Sequence, residues 1–598
     1  MKNLRLCWAA FGLCVSLGVS AQRGSCGTGV SWALADGTLT ISGEGNMTDF
    51  TDPRYGSSNL PSWDIYKDNI VKVVIEGGVK HVGSYAFYDY SNLQAVTFAE
   101  GVKSIGSSAF YGCEGIKELL FPSSMKIISG QHNTNEDAEP QVSTFGMGGT
   151  GTAYMSSEAF RGCAGLTSVT IPRGVIGVGS GTFKNCRNLK SVYWDVADYP
   201  SYGFSTANEN GFRDYGTQGS SPFSGCRLKE VVFGSEVDSI PGGLLYGQSE
   251  LSAIKFSGKT EYVGKDAFKE TVWFDNLPNG LVYIDKAAYA FKGLMSTPTA
   301  ISIAEGTKSI TEGLFANQTY LTKVTVPSTL TYMGYEVFEG CRSLGEVEWN
   351  AEDCKFGQTY GAPFSATALY TITFGEKVRK IPDGLCSGCR YITEVKMPAS
   401  VVEVGESAFS DCSGLEAVGF SENMTSIEAR AFLDCAKLSE LILPNSLREI
   451  GENAFSGCTG LETLSIPESV DSIGRSAFYN TGLEILVFNA RNCMLVYESY
   501  STAFPSSVRE LEFGDVVECI PKYMCSKMTN LVKLKVGRNV REMPSNCFSN
   551  CKNLETVEWN AVSMEDAGTP FASSVTQITF GKDVERIPEN LCSKLKYL

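Results

Sequence analysis

Histidine is almost missing from this chain. Among 598 residues there are two, His81 and His132. A Ser-His-Asp or Cys-His site needs a base held against its nucleophile, and nothing in the sequence around either histidine suggests one. No enzyme is expected, and no cofactor. Charge is sparse too: 19% of residues are charged and the balance is acidic, at −16. The first 21 residues hold Lys2 and Arg5 and no acid, so without them the chain is two units more negative. Such a surface repels phosphate, which excludes nucleic acid and anionic lipid as partners. Long apolar runs are missing except at the start. Leu6–Val19 is about 14 residues, short of the ~20 that span a bilayer. Lys2 and Arg5 precede it and Val19-Ser20-Ala21 follow it. That order reads as a secretory signal peptide over 1–21, cut after Ala21. A secreted or cell-surface protein is expected, with no transmembrane segment after signal removal.

What the chain has is rhythm. In "IGENAFSGCTGLETLSIPESVDSIGRSAF", Ile450-Gly451 returns as Ile473-Gly474 and Ala454-Phe455 as Ala477-Phe478. The phenylalanine of this phrase recurs along most of the chain, at Phe110, Phe160, Phe183, Phe291, Phe409 and Phe432 among others. Leu245, Cys386, Cys525 and Cys592 stand in its place in four units. From Cys386 through Phe409, Phe432 and Phe455 to Phe478 the step is 23 each time. A fixed period in the range of about 20–29 is the signature of a leucine-rich repeat solenoid, here about 20 units of ~23 residues.

Each unit has a physical logic. In Leu461–Pro467 the apolar Leu464 and Ile466 flank Ser465. That is a short strand with one face inward, and Pro467 ends it because it cannot donate to a ladder. Val470 and Ile473 turn the chain back inward. Gly474 suits a turn with positive φ, and Ala477-Phe478 plug the coil. Stacked coils pair their strands in parallel at ~4.8 Å.

Two flavours vary the theme. One closes its strand with an aromatic, as at Trp194, Trp349 and Trp559, where core packing is expected. The next unit then reads "FGSEVDSIP" from Phe233, "FGEKVRKIP" from Phe374, "FGDVVECIP" from Phe513 or "FGKDVERIP" from Phe580. Residues 22–66 hold Asp36-Gly37 between alternating stretches, a hairpin signal, and are read as a β-rich N-terminal cap. The solenoid is assigned to 67–598. Insertions near 130–154 and 197–221 are read as loops bulging from it. The acidic Asn133–Pro140 in the first reads as a solvated loop rather than a calcium site.

The phrase Ile105-Gly106, Ala109-Phe110, Gly112-Cys113, repeated as Ala431-Phe432, Cys435, Leu438, Leu441 and Pro444, resembles the BspA-like leucine-rich repeat family of bacterial surface proteins. The resemblance covers nearly everything from about residue 67 onward. It implies secretion and a role in adhesion or in binding host or bacterial macromolecules.

Eighteen cysteines lie beyond Cys7 and Cys14. Ten of them stand three residues after the phenylalanine slot, where Thr481, Ser507, Met528 or Ser574 stand elsewhere. Small residues interchange there singly, as in a buried thiol ladder. Export would permit disulfides, but stacked coils point equivalent side chains the same way, a poor disulfide geometry. Free thiols are expected. Cys386-Ser-Gly-Cys389 fills two structural slots that happen to lie three apart, and no second pair or histidine completes a zinc site.

The outward mid-strand residues are mixed, with no single-charge stripe and no aromatic ladder. That argues against a polyanion and leaves protein recognition as the leading reading. Candidate contact residues are Tyr193, Thr325, Thr373 and Lys396 on the strands, with Tyr199, Tyr202, Phe204, Phe212 and Tyr215 in the second insertion. The expected function is an exported binding or adhesion protein that recognises a host or bacterial surface protein through its solenoid. A structural envelope component and a glycan-capture protein are the alternatives.

Overall fold

A computed structural model describes residues 22–54, 59–129, 158–197, 221–357, 362–496 and 503–596. The bulk of both insertions, His132, Asn133–Pro140, Tyr199, Tyr202, Phe204, Phe212 and Tyr215 lie outside the described residues. The chain is a parallel β-solenoid of about 19 turns of ~23 residues. It forms two compact units, 22–258 with 266–277, and 259–265 with 278–596. No helix among the described residues is long and apolar enough to cross a membrane.

One coil of the second unit shows why the sequence folds this way. Its front strand Thr463–Ile466 buries Leu464 and Ile466 and exposes Thr463 and Ser465. It pairs in parallel with Ile485–Phe488, Leu464 opposite Leu486 and Ile466 opposite Phe488. A two-residue rear strand, Ser472–Ile473, pairs with Glu449–Ile450 of the coil before. The Ala-Phe turn follows. Residues two before and two after the phenylalanine are left-handed, as in Ser476 (φ 54°) and Asn480 (φ 57°), or Arg430 (φ 57°) and Asp434 (φ 57°). Asn, Asp and Gly recur at the later position because they tolerate that region best.

The phenylalanines stack into a buried column. In the second unit Phe409, Phe432, Phe455, Phe478 and Phe504 follow one another with centroids 5.3–5.5 Å apart and rings within 7° of parallel. In the first unit Phe110 stacks on Phe160 at 5.2 Å and Phe183 on Phe223 at 5.6 Å, across the two insertions. Trp194, Trp349 and Trp559 are fully buried at the inward ends of their strands.

The glycine after each rear strand has a different reason from the one expected. Gly474 and Gly451 are not in the left-handed region. A Cβ on Gly474 would instead fall on the backbone nitrogen of Glu452 in the neighbouring coil. Close approach between coils, not turn conformation, requires glycine there.

All 18 cysteines of the described residues are unpaired, and 16 of them are buried. The thiols of the recurring slot donate to the carbonyl of the preceding coil's plug residue: Cys113 to Phe87 (3.1 Å), Cys186 to Phe160 (3.1 Å), Cys341 to Phe315 (3.0 Å) and Cys458 to Phe432 (3.3 Å). Gln248 reaches the Phe223 carbonyl from the same slot with its amide. Elsewhere the slot's hydroxyls go to other acceptors, Thr481 to Phe478 O at 3.0 Å and Ser507 to Leu483 O at 2.7 Å. Burial pushes the Cys113, Cys458 and Cys551 thiols up to about 12. Thiolate is the reactive form. Iodoacetamide at pH 8 is therefore expected to label only the half-buried Cys519 and Cys592 in the native chain, the rest reacting after denaturation. Peptide mass spectrometry with and without urea checks this.

The first unit opens with three antiparallel strands, Gln22–Gly27, Val30–Ala35 and Thr38–Gly43. Asp36 (φ 47°) and Gly37 (φ 73°) make the tight turn, and Thr38–Gly43 pairs in parallel with the first front strand, Lys72–Ile75. Trp63 extends the ring column, packing between Phe50 and Phe87 at 5.6 and 5.8 Å. The second unit also holds an antiparallel hairpin, Gly280–Ile284 with Ala287–Lys292. Phe291 thus lies in a hairpin strand rather than in an Ala-Phe turn, although its ring still meets Phe315 at 5.8 Å.

His81, around which the sequence suggests no nucleophile, has two polar partners in the fold. Its Nδ1 lies 2.8 Å from Ser104 Oγ and its Nε2 3.3 Å from Asp49 Oδ1. That is a Ser-His-Asp line, but His81 is 1% exposed and Ser104 5%. The trio ties the segment holding Asp49 to the first coils. Ser84 N–H donates to Asp49 at 2.7 Å. Burial alone would raise the Asp49 carboxyl, but the His81 hydrogen bond and charge and the Ser84 N–H outweigh it and hold it well below the usual carboxylate range. A depressed carboxylate adds stability above its unfolded value of about 3.9 and loses it as pH falls toward the folded value. Asp49→Asn should therefore lower the Tm at neutral pH and flatten its fall below about pH 4. Melting curves of both chains from pH 7 to pH 2 check this.

Candidate functional site

The exposed face of the front sheet presents side chains that do not serve the core. In the first unit Tyr193 lies on Ser191–Trp194, 41% exposed, with Thr170 and Val232 opposite it on the flanking strands. In the second unit Thr325, Glu348 and Thr373 occupy one register across Leu321–Val326, Glu346–Trp349 and Thr371–Phe374. Thr325 is half-buried and its hydroxyl donates to Glu348 at 3.2 Å. Lys396 projects from Glu394–Lys396 and pairs with Glu394 at 3.0 Å.

Charges on this face largely cancel. Lys323 faces Glu346 (3.9 Å), Lys533 faces Glu510 (2.7 Å) and Lys535 faces Glu512 (2.8 Å), each across adjacent strands. Exposed pairs of this kind contribute about 0–1 kcal/mol, so their main effect is to neutralise charge locally on the sheet.

The ladder of the front sheet is interrupted in the second unit after Glu440–Leu441 and, at an earlier coil, after Thr371–Phe374. Thr371–Phe374 is the last strand of its sheet and Glu394–Lys396 the first of the next; the two are neighbours without ladder pairing. The ring column breaks at the same coil, where Cys386 holds the phenylalanine slot between Phe364 and Phe409. A cleft of about 480 Å³ opens between the two strands, lined by Tyr370, Thr371, Thr373, Glu394, Lys396 and Met397 among others. Tyr370 is 53% exposed and its hydroxyl donates to Glu346 at 3.1 Å. Thr373 and Lys396, chosen from strand parity alone, thus come together on one opening. Thr325 lies two strands away and Tyr193 in the other unit. Tyr370, Glu394 and Met397 were missed, because nothing in their strands marks the break.

The cleft combines an aromatic ring, threonine hydroxyls and one ion pair with a thioether. It suits adaptable polar contact with an apolar anchor. Among the described residues no group of three or more His, Cys, Asp or Glu side chains is placed to hold a metal ion.

Among curated proteins none matches the chain. Solved structures match the chain at low identity. A leucine-rich repeat protein from Bacteroides ovatus is 16% identical, with 92% of this chain and 98% of that one covered and a TM-score of 0.24. One from Eubacterium ventriosum is 18% identical over 80% and 97%, with a TM-score of 0.24. A leucine rich cell surface protein from Faecalibacterium prausnitzii is 18% identical over 86% and 94%, with a TM-score of 0.21. The family model for the BspA type leucine rich repeat region matches residues 58–137, 153–290, 286–416, 379–503 and 497–598. With the repeat, the parallel coils and this match together, the chain belongs to the BspA-type leucine-rich repeat family.

Proposed function

We propose that this chain is an exported binding or adhesion protein that recognises a host or bacterial surface protein through the front sheet of its solenoid. One observation carries the reading: Thr373 and Lys396 flank an open 480 Å³ cleft on an otherwise charge-balanced strand face. An extended sheet of outward side chains is the usual asset of a repeat scaffold. The apolar run Leu6–Val19 with its basic start and small-residue end supports export, and family membership supports a surface role.

The test is binding of the purified chain to immobilised fibronectin, laminin, collagen and mucin, beside Thr373→Arg with Lys396→Glu and beside a chain lacking 197–221. Saturable binding weakened about tenfold or more by the sheet variant is expected, which corresponds to loss of a central contact worth about 1.4 kcal/mol. Loss in the deletion alone would move the contact to the insertion. Binding to none of the four surfaces would sink the reading in favour of a structural envelope role.

A further inference from the structure

The rear side of the second unit also opens, for a reason the sequence carries. In regular coils the glycine closing the rear strand donates its N–H to the coil before: Gly405 to Ile381 (2.9 Å), Gly451 to Ile427 (2.7 Å), Gly474 to Ile450 (2.7 Å). Pro382 stands in that place and has no N–H to give. Lys355–Phe356 pairs with Tyr332–Met333, and Lys380–Ile381 with Glu403–Val404. The two do not pair with each other and belong to separate sheets. A cleft of about 610 Å³ lies between them.

Its lining is unusual for a surface gap. Phe356, Pro363 and Pro382 give flat apolar surface, with Glu352, Asp383 and Ser387 around it. Lys380 is held by Glu403 at 2.7 Å and Asp383 at 3.3 Å, so its charge is already matched. The main chain contributes as well. Lys355 and Gly357 send their N–H groups to Thr331 and Met333, so strand alternation turns the Phe356 N–H and C=O the other way, into the gap. By the same alternation Lys380 faces it from the other wall, since Ile381 accepts from Gly405.

The cleft therefore offers main-chain donors and acceptors, a hydroxyl, carboxylates and a flat apolar floor at once. An apolar ligand would leave those peptide groups unpaired, at a cost of about 1–3 kcal/mol each. An anion would meet Glu352, Asp353 and Asp383, three carboxylates against the two cations of the lining, Lys355 and Lys380. A pyranose ring satisfies all of it: its hydroxyls both donate and accept, and its C–H face is apolar. Volumes of about 300–1,000 Å³ are those of small-ligand sites, and this one has room for one or two rings. We propose that the cleft between Lys355–Phe356 and Lys380–Ile381 is a saccharide site, taking a neutral mono- or disaccharide or the end of a glycan. It is built from the rear strands and does not rest on protein recognition by the front sheet.

The test uses the full chain with glucose, galactose, mannose, N-acetylglucosamine and lactose, followed by saturation-transfer NMR and calorimetry. Ser387→Trp fills the cleft; Glu352→Ala with Asp353→Ala alters only exposed rim carboxylates and serves if the tryptophan perturbs folding. At least one sugar is expected to bind saturably, about tenfold more weakly or worse in a folded cleft variant, and unchanged in Lys396→Glu at the front. No binding by any of the five sugars, or equal binding by parent and cleft variants, overturns the proposal. Loss of protein binding in the front variant with sugar binding intact would separate the two sites.

Discussion

Phe432→Ala is expected to destabilise the second unit by about 3–5 kcal/mol, the range for emptying a fully buried aromatic site. Phe432 is 0% exposed and stacks on Phe409 at 5.4 Å and on Phe455 at 5.3 Å, with Phe420 edge-on at 5.7 Å. Truncation removes two stacking partners at once and leaves a void whose walls are the backbones of adjacent coils. Those walls cannot collapse without breaking the hydrogen bonds of the turn, such as Phe432 N–H to Ala454 O at 2.7 Å. Because each coil touches only its neighbours, the loss should stay local. Hydrogen exchange read by mass spectrometry is expected to quicken over the coils around Phe409, Phe432 and Phe455 and little elsewhere. Phe432→Leu should cost far less, since Leu245 fills the same slot in the first unit. Uniform quickening through the unit, or a loss below about 1 kcal/mol, would mean that the ring column is not what holds the coils together.

Gly451→Ala is the second large effect. A Cβ there would lie 2.5 Å from Ala429 N and 2.5 Å from Glu428 C. Both are backbone atoms of the coil before, bonded to it through Gly451 N–H and Ile427 O. Nothing flexible can move aside, so the coils must part, and overpacking of about 1–3 kcal/mol is a lower bound. Gly457→Ala is the control. Gly457 has φ 79°, so alanine there incurs a left-handed penalty of about 1–2 kcal/mol, while its nearest obstacle is the Asp434 side chain, which can rotate. Urea midpoints at constant m should rank Gly451→Ala as the worse of the two. The reverse order would restore turn conformation as the reason for the Ile-Gly glycine.

The features legible in the sequence were those that repeat. Leu464, Ile466, Phe455 and Cys458 each recur at a fixed offset, so strand, inward face, plug and thiol slot could be read from period and parity. The Ile-Gly glycine recurs as well, yet its reason was misread, because the clash it avoids is with a coil 22 or 23 residues away rather than with its own turn. The rear cleft left a sign in the Ile-Pro of "FGEKVRKIP", whose missing N–H becomes meaningful once Gly405, Gly451 and Gly474 are seen to donate there. The front cleft left none: Thr371–Phe374 and Glu394–Lys396 are ordinary strands, and what fails is the ladder between them. The Asp49–His81–Ser104 line was equally hidden, since its three members come from different coils and segments and only folding brings them into one plane of contacts.

The ring column passes both insertion points without a change of spacing, with Phe110 on Phe160 and Phe183 on Phe223 as close as rings in uninterrupted coils. Scaffold and decoration are thereby decoupled. Chain length can be gained or lost at those two points, and its chemistry exchanged wholesale, without the pitch of the stack registering the event. Variation between lineages can accumulate there at little cost to folding, so the same coil architecture can be refitted to new surroundings by replacing one stretch of sequence.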